Sequence, residues 1–414
     1  MTSSRVVITS YARTPFDSQG GKEFQELTVP EMAVVPVKAA VERSRLGRSD
    51  VDGLVMGNMS ASGQANNLGR HVALKAGLDY ETALAYTVHR VCGSGFTAVS
   101  NGMMEIWSGE STIMVAAGAE MLSHRVISLP LSYAWTGIPR GGIMLGGRDS
   151  TGGGDAPVEL YGEMYGPAFT VEKAARIHKV GREDSDQFAY ESQMKMKKAQ
   201  ETGRFDNEIV PLTAPKTGRK GVVEMVTYDK DLHPKPYTEL EVISKLPTAF
   251  EKDGVITAAN ASGSVDGAAA LVMMTEEEAK KRDLPPVAYL NAFAFGGVDP
   301  TLMGTGPVPA IQKLMKKTGI SFDDIDVLEI NEAFATQVLT CMKMLGQYMD
   351  SALYKRLNPN GGSVAIGHPN GCTGVRLTMS CAEELKRTGK KLGVVSACIG
   401  GGMGVAILLE NAQL

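Results

Sequence analysis

The chain has 414 residues, enough for two or three domain-sized units and a sizeable core. Hydrophobic residues make up 43% and charged residues 21%, an ordinary globular balance, and a formal charge of −4 gives nucleic acid no basic surface to bind. Five cysteines form an odd set with no Cys-x-x-Cys pair and no His/Cys cluster, which argues against a disulfide framework or a zinc site and fits a reducing, cytoplasmic setting.

Met1 leads straight into a strand-like stretch without a signal-peptide apolar region, and no apolar run is long enough to span a membrane. Short apolar runs then alternate with glycine punctuation and amphipathic stretches, the pattern of an α/β fold. In chain order the reading gives a strand over Val6–Ser10, a helix over Val29–Ser44, and strands over Leu54–Gly57 and Ile113–Ala117. A helix over Asp184–Thr202, a strand over Ala269–Met274, a helix over Pro309–Thr318 and a strand over Val327–Ile330 follow. A helix over Thr373–Arg387 precedes strands over Leu392–Ala397 and Val405–Leu409. In that helix Val375, Leu377, Met379, Ala382 and Leu385 make one broad apolar face.

The order of elements repeats. Ser49-Asp-Val-Asp-Gly-Leu-Val-Met-Gly-Asn echoes Asp323-Asp-Ile-Asp-Val-Leu-Glu-Ile-Asn-Glu, and each follows a helix opening on Val-Pro, at Val29 and Val308. Each leads to a glycine-rich turn entering a helix, Cys92–Thr97 in one half and His368–Gly374 in the other. A duplicated α/β unit is expected, although Asp-x-Asp before a strand is also common loop chemistry. The stretch from Ser123 to Phe250 differs, with Gly141-Gly142, Gly146-Gly147 and Gly152-Gly153-Gly154, a long polar helix and a Lys/Pro-rich segment. It reads as a loop-rich insertion that covers a ligand. The expected organisation is 1–122 with 251–276, an insertion over 123–250, and a second half over 277–414.

Three motifs carry chemistry. Cys92, in Val-Cys-Gly-Ser-Gly, precedes Phe96, Val99, Met103, Ile106 and Trp107 at helical spacing. A cysteine at a helix N-terminus is expected to have a lowered pKa; taken alone, it also fits a small core residue. His368, between glycines and beside Pro369, fits a base that accepts the Cys92 proton, or a hydrogen-bonded turn residue. Cys398 follows an apolar strand and precedes Gly400-Gly401-Gly402, whose N–H groups suit an oxyanion, a tight turn, or both. Asn331, in Asn-Glu-Ala-Phe, ends a strand where an amide can position water.

With these residues in place the chain resembles the thiolases, acyl-CoA:acetyl-CoA C-acyltransferases. Further motifs occur in family order over nearly the whole length. They are Ala12-Arg-Thr-Pro-Phe, Asn260-Ala-Ser-Gly-Ser-Val-Asp-Gly, Gly297-Val-Asp-Pro-Thr-Leu-Met-Gly-Thr-Gly-Pro, Asn331-Glu-Ala-Phe-Ala, Gly367-His-Pro-Asn-Gly and Cys398-Ile-Gly-Gly-Gly-Met-Gly. The resemblance implies two duplicated halves in a five-layer α-β-α-β-α sandwich with an inserted loop subdomain. It implies that Cys92 carries the acyl group, His368 activates it, and Asn331 holds a water beside His368. Cys398 moves the α-proton, and the N–H groups of Cys92 and Gly400 bind the tetrahedral oxygen. Ser262 contacts the pantetheine arm, with Met303, Ala333, Phe334, Gly166 and Pro167 as further substrate- and CoA-binding positions. Coenzyme A is a co-substrate, no permanent cofactor or metal is expected, and a homodimer or homotetramer, or a small accessory subunit, is the partner expectation.

One departure stands out. Short-chain biosynthetic members usually carry Tyr-His-Met-Gly where this chain has Tyr165-Gly166-Pro167-Ala168. The loss of both side chains, with Tyr133, Trp135 and the Gly152–Gly154 run before them, predicts a reshaped pocket and a bulkier, branched or aryl 3-oxoacyl-CoA. Short-chain acetoacetyl-CoA chemistry in the condensing direction is the alternative. A non-catalytic scaffold and a decarboxylating ketoacyl synthase are the rival classes; the intact Cys92, Asn331 and His368 oppose the first, and the Cys398 motif opposes the second.

Overall fold

The computed structural model describes residues 4–60, 66–124, 166–218, 221–234 and 238–414. In chain order the strands are β1 (Val6–Arg13), β2 (Asp17–Ser18), β3 (Gly53–Gly57), β4 (Leu84–Val88), β5 (Ile113–Glu120), β6 (Leu212–Thr217), β7 (Val223–Tyr228), β8 (Val265–Thr275), β9 (Ala288–Gly297), β10 (Val327–Ile330), β11 (Leu392–Ile399) and β12 (Met403–Asn411). The longer helices are α1 (Val29–Arg43), α2 (Leu68–Lys75), α3 (Ser94–Ser108), α4 (Pro167–His178), α5 (Arg182–Glu201), α6 (Pro307–Thr318), α7 (Ala335–Met344) and α8 (Asn370–Thr388).

The main sheet runs β10-β11-β12-β9-β1-β8-β5-β3-β4, with β2 on β8, while β6 and β7 pair separately. Its order is symmetric about the β9–β1 seam. On one side β3 runs parallel to β4 and β5, and β5 is antiparallel to β8. On the other β10 runs parallel to β11, and β11 is antiparallel to β12. A lone parallel bridge, Leu328 to Leu357, stands where β4 stands in the first half. The seam is short: Val6, Val7 and Ile8 meet Leu290, Tyr289 and Ala288.

Helices cover both faces of each half. Phe96, Val99 and Met103 of α3 and Val375, Leu377 and Met379 of α8 share one core with strand residues from both halves, such as Leu271 and Ile407. Val37 and Val72 pack with Leu54 and Val115 on one outer face, and Ile311, Leu314 and Val338 with Leu328 and Val394 on the other. The layers are therefore α-β-α-β-α, as the sequence reading expects. α1 begins at Val29 because Thr28 and Glu31 form a reciprocal capping box. α6 begins at Pro307, ahead of the expected Pro309, because proline suits the first helical turn. No helix among the described residues is long and apolar enough to cross a membrane.

The two central helices meet at glycines. A Cβ on Gly374 would collide with the Phe96 backbone, and one on Gly95 would lie 2.8 Å from the Gly371 carbonyl oxygen. Only a residue without a side chain permits this backbone contact. The contact brings the N-termini of α3 and α8 together. The Ala12-Arg-Thr-Pro-Phe motif serves the fold. Its fully buried Arg13 grips Asp231 through two bonds of 2.7 and 2.9 Å and Glu208 through one of 3.2 Å. That ties the segment after α5 to β1.

Glu329 of β10 is buried and its Oε2 has no hydrogen-bond partner among the described residues. Burial pushes its carboxyl from 4.5 up to about 8, against the pull of Arg376. The fold thus favours the protonated form: its contribution to stability is complete below pH 4.5 and is lost as pH rises through 8. Glu329→Gln, which cannot ionise, is expected to flatten a decline on the order of 1 kcal/mol per pH unit in urea unfolding across this window.

Candidate active site

Between β4 and α3 the chain turns sharply. The Gly93 N–H donates to the Arg90 carbonyl at 2.8 Å, and the Ser94 N–H to the Val91 carbonyl at 3.1 Å. Val91 takes a positive φ of 47°, an unusual backbone for a β-branched residue, immediately before Cys92. Cys92 precedes Gly93, the N-cap of α3. From the other half, His368 and Pro369 precede α8, whose N-cap is Pro369. Two helix N-termini therefore converge on one site and favour negative charge there.

Asn370, in the first turn of α8, donates from Nδ2 to the Cys92 Sγ at 3.2 Å. The Gly400 N–H, in the turn between β11 and β12, also faces this sulfur, as does the N–H of Cys92 itself. The Gly400 turn is tight, with Gly401 and Gly402 at φ 83° and 82°. Cys398, one residue before the end of β11, is fully buried, in a cluster with Met303 and Ala333 against which Phe334 packs. Ile399, beside Cys398, packs against Gly93, beside Cys92: a Cβ on Gly93 would collide with the Ile399 Cδ1. The charge of Cys92 also bears on Cys398.

The expected lowering of the Cys92 pKa is reversed. Burial pushes this thiol up, outweighing Asn370 and the Gly400 and Cys92 N–H groups. Burial raises Cys398 well above the ordinary thiol range, with Cys92 and Cys341 adding to it. Both rest as thiols, because withdrawal from water acts on the charged form more strongly than the helix end does here.

His368 is buried and held neutral. Burial, then the Arg376 charge, lowers its imidazole to about 3. Nδ1 lies 2.7 Å from Thr373 Oγ1, whose hydroxyl donates to the Pro369 carbonyl at 3.1 Å. With that hydroxyl committed, Nδ1 carries the proton and Nε2 is the acceptor. Nε2 lies 3.3 Å from Asn331 Nδ2. No hydrogen bond joins His368 to Cys92 among the described residues; Asn370 occupies that role at the sulfur. Asn331 is set at the end of β10 by its N–H to the Ser396 carbonyl at 2.8 Å.

Ser262 lines a cleft of about 290 Å³ with Gln193, His233, Leu246, Ala258 and Ala365. Its N–H donates to the Ala333 carbonyl at 3.0 Å, and the His368 N–H donates to the Gly263 carbonyl at 2.8 Å. The cleft wall is thereby bonded to the histidine. Gly166 is the N-cap of α4 and Pro167 its first residue. Next to them Ala168 and Val171 pack with Ile256, and Phe334 and Ala261 close the cluster. Phe250 bridges the rings of Phe169 and Phe334, with centroids 6.5 and 6.3 Å away. Tyr133, Trp135, Gly152–Gly154 and Tyr165 lie outside the described residues.

Sequence reasoning brought out Cys92, His368, Cys398, Asn331 and Gly400 but gave no role to Asn370, Thr373 or Glu120. Glu120 accepts from the N–H groups of Met59, Ser60 and Gly371, each at 2.9 Å, and so fastens the start of α8 to the first half. Asn370 and Thr373 stand within the same glycine-rich motif as His368, which was the available signal.

Residues 6–277 match the thiolase N-terminal domain and residues 284–411 the thiolase C-terminal domain. The mitochondrial 3-ketoacyl-CoA thiolase of Bos taurus is 41% identical over 411 residues, covering 98% of each chain. The acetyl-CoA acetyltransferase of Rhizobium meliloti is 40% identical, covering 99% of this chain and 100% of its own. The solved structure of human mitochondrial 3-ketoacyl-CoA thiolase in complex with CoA superposes with a TM-score of 0.84 at 36% identity, covering 99% of this chain and 98% of its own. Two family domains that fill the chain in order, and relatives that match it from end to end, make this protein a member of the thiolase family and an acyltransferase.

Proposed function

We propose that the protein cleaves a 3-oxoacyl-CoA with free coenzyme A, reversibly, through a thioester on Cys92. The observation that carries this reading is the meeting of two thiols and a neutral imidazole at two helix N-termini. His368 accepts the Cys92 proton as substrate enters, and the sulfur attacks the 3-oxo carbonyl. The N–H groups of Cys92 and Gly400 take the developing oxyanion. The C2–C3 bond then breaks, its electron pair passes to the departing acetyl-CoA enolate, and Cys398 supplies the proton. His368, with a water held by Asn331, stabilises that enolate. The coenzyme A thiol then gives its proton to the Cys398 thiolate and attacks the Cys92 thioester; the acyl group leaves as acyl-CoA, and His368 returns its proton to Cys92. Run backwards, Cys398 removes the α-proton and the same groups perform the condensation.

The cleft beside Ser262 is the path for the pantetheine arm, and a similar solved structure in complex with CoA supports CoA as the ligand. Met303, Ala333 and Phe334, which cluster around Cys398 rather than along that cleft, take the acyl end of the substrate. The described part of the 123–250 stretch acts as a cover: Gln193, His233 and Leu246 come from it. A homodimer or homotetramer in the cytoplasm, with five free thiols, completes the proposal.

The acyl group is bulky, branched or aryl. Gly166 supports this, since among the described residues a Cβ there would meet nothing closer than a Phe169 ring carbon at 3.5 Å. Intact-protein mass spectrometry after incubation with a panel of acyl-CoAs is expected to show the heaviest loading from branched or aryl groups. Steady-state cleavage of the matching 3-oxoacyl-CoAs should rank them above acetoacetyl-CoA. A clear preference for acetoacetyl-CoA over every larger substrate would sink the bulky-substrate reading and leave the short-chain alternative.

A further inference from the structure

Behind Asn331 lies a polar chain that the reaction steps do not use. Ser363 is fully buried, and its hydroxyl donates to Asn331 Oδ1 at 2.7 Å. Buried Arg376, on α8, donates from Nη2 to the same hydroxyl at 3.3 Å. The Arg376 Nε has no partner among the described residues. A buried guanidinium with so few bonds is an expensive thing to keep.

The chain has a direction. A guanidinium donates and never accepts. Ser363, receiving from Arg376, must therefore send its own proton to Asn331. An amide oxygen that receives this proton faces Ser363, so the amide NH₂ faces His368. Without the hydroxyl the two ends of the amide are nearly equal in shape, and the Asn331 side chain can turn over. Its oxygen would then face the bare Nε2, acceptor against acceptor.

We infer that Ser363, polarised by Arg376, is a positioning residue that fixes which end of the Asn331 amide faces the reaction. This rests on the reading of Asn331 and His368 as the enolate-stabilising pair. Ser363 touches neither substrate nor reacting atoms, and it acts through Asn331 alone. The step it governs is enolate formation, not acylation of Cys92.

The test is a double-mutant cycle on the full-length enzyme. Two rates are read: acyl-enzyme formation by mass spectrometry, and exchange of acetyl-CoA α-protons with deuterated solvent on the acylated enzyme. Asn331→Ala is expected to slow exchange roughly 10²-fold. Ser363→Ala alone should slow exchange about tenfold, with acyl-enzyme formation and the KM for CoA within about twofold of wild type. In the Asn331→Ala background Ser363→Ala should add less than about twofold. The same loss in both backgrounds, no loss at all, or equal slowing of acylation and exchange would overturn the proposal. Full exchange in Asn331→Ala would instead overturn the reading of Asn331 on which it stands. Thermal melting of each variant identifies a folding defect, and Ser363→Gly, read by the same exchange assay, gives a second route: its loss should also vanish in the Asn331→Ala background.

Discussion

Cys92→Ser is expected to leave no stable acyl-enzyme after incubation with any acyl-CoA, and turnover should fall by about 10⁴-fold or more. A hydroxyl is a far weaker nucleophile than a thiol. The environment compounds the loss: burial already holds the Cys92 thiol above its ordinary range, and His368 is a weak base at rest. What lets sulfur react is the set of N–H donors and helix ends that receive charge once it forms. A serine alkoxide would need much more than they supply. The protein should stay folded, since the exchange leaves the Val91 turn and the α3 N-cap untouched. Intact-mass analysis beside wild type decides the point: an adduct of equal yield on Cys92→Ser would remove Cys92 from the nucleophile's role.

Cys398→Ala is expected to separate the two half-reactions. Acylation of Cys92 from a simple acyl-CoA needs no carbon-bound proton, so the adduct should form at near the wild-type rate. Cleavage of a 3-oxoacyl-CoA and the reverse condensation both need a proton at C2, and each should fall about 10³-fold. The buried, strongly raised thiol suits that proton transfer. It arrives protonated, ready to give its proton to a carbanion, and it stays neutral in the cluster with Met303 and Ala333. Full turnover in Cys398→Ala, measured as acetoacetyl-CoA or larger 3-oxoacyl-CoA consumption, would rule out the two-thiol mechanism.

Much of this site was legible in sequence because glycine-rich turns announce themselves. Cys92, His368 and Gly400 sit in such turns, Cys398 stands on the strand just before one, and Asn331 follows an apolar strand. The buried strands β5, β8, β11 and β12 were also legible, as continuous apolar runs. β4 was not: Leu84 is 65% exposed and its neighbours are half-buried, so neither alternation nor an apolar run marks it. The direction of the Cys92 shift was missed for a different reason. Helix position can be read locally, but the depth of burial depends on α8 and the β11–β12 turn, some 300 residues further along the chain. Asn370 reaches Cys92 across a similar span, and Ser363 reaches Asn331 from the short helical turn Ser363–Ile366. Neither contact leaves a periodic trace.

The glycine contact between α3 and α8 has a consequence for how the enzyme behaves in solution. On the proposed mechanism neither half of the chain holds a working centre: one brings Cys92, the other Asn331, His368 and Cys398. Shared centres of this kind are familiar from dimers whose subunits each give part, and such enzymes fade as they are diluted. Here the two contributors are tethered in one polypeptide, so their encounter is intramolecular. Whatever the quaternary state does to stability, the joining of the proposed nucleophile and base is a first-order event, independent of how much protein is present.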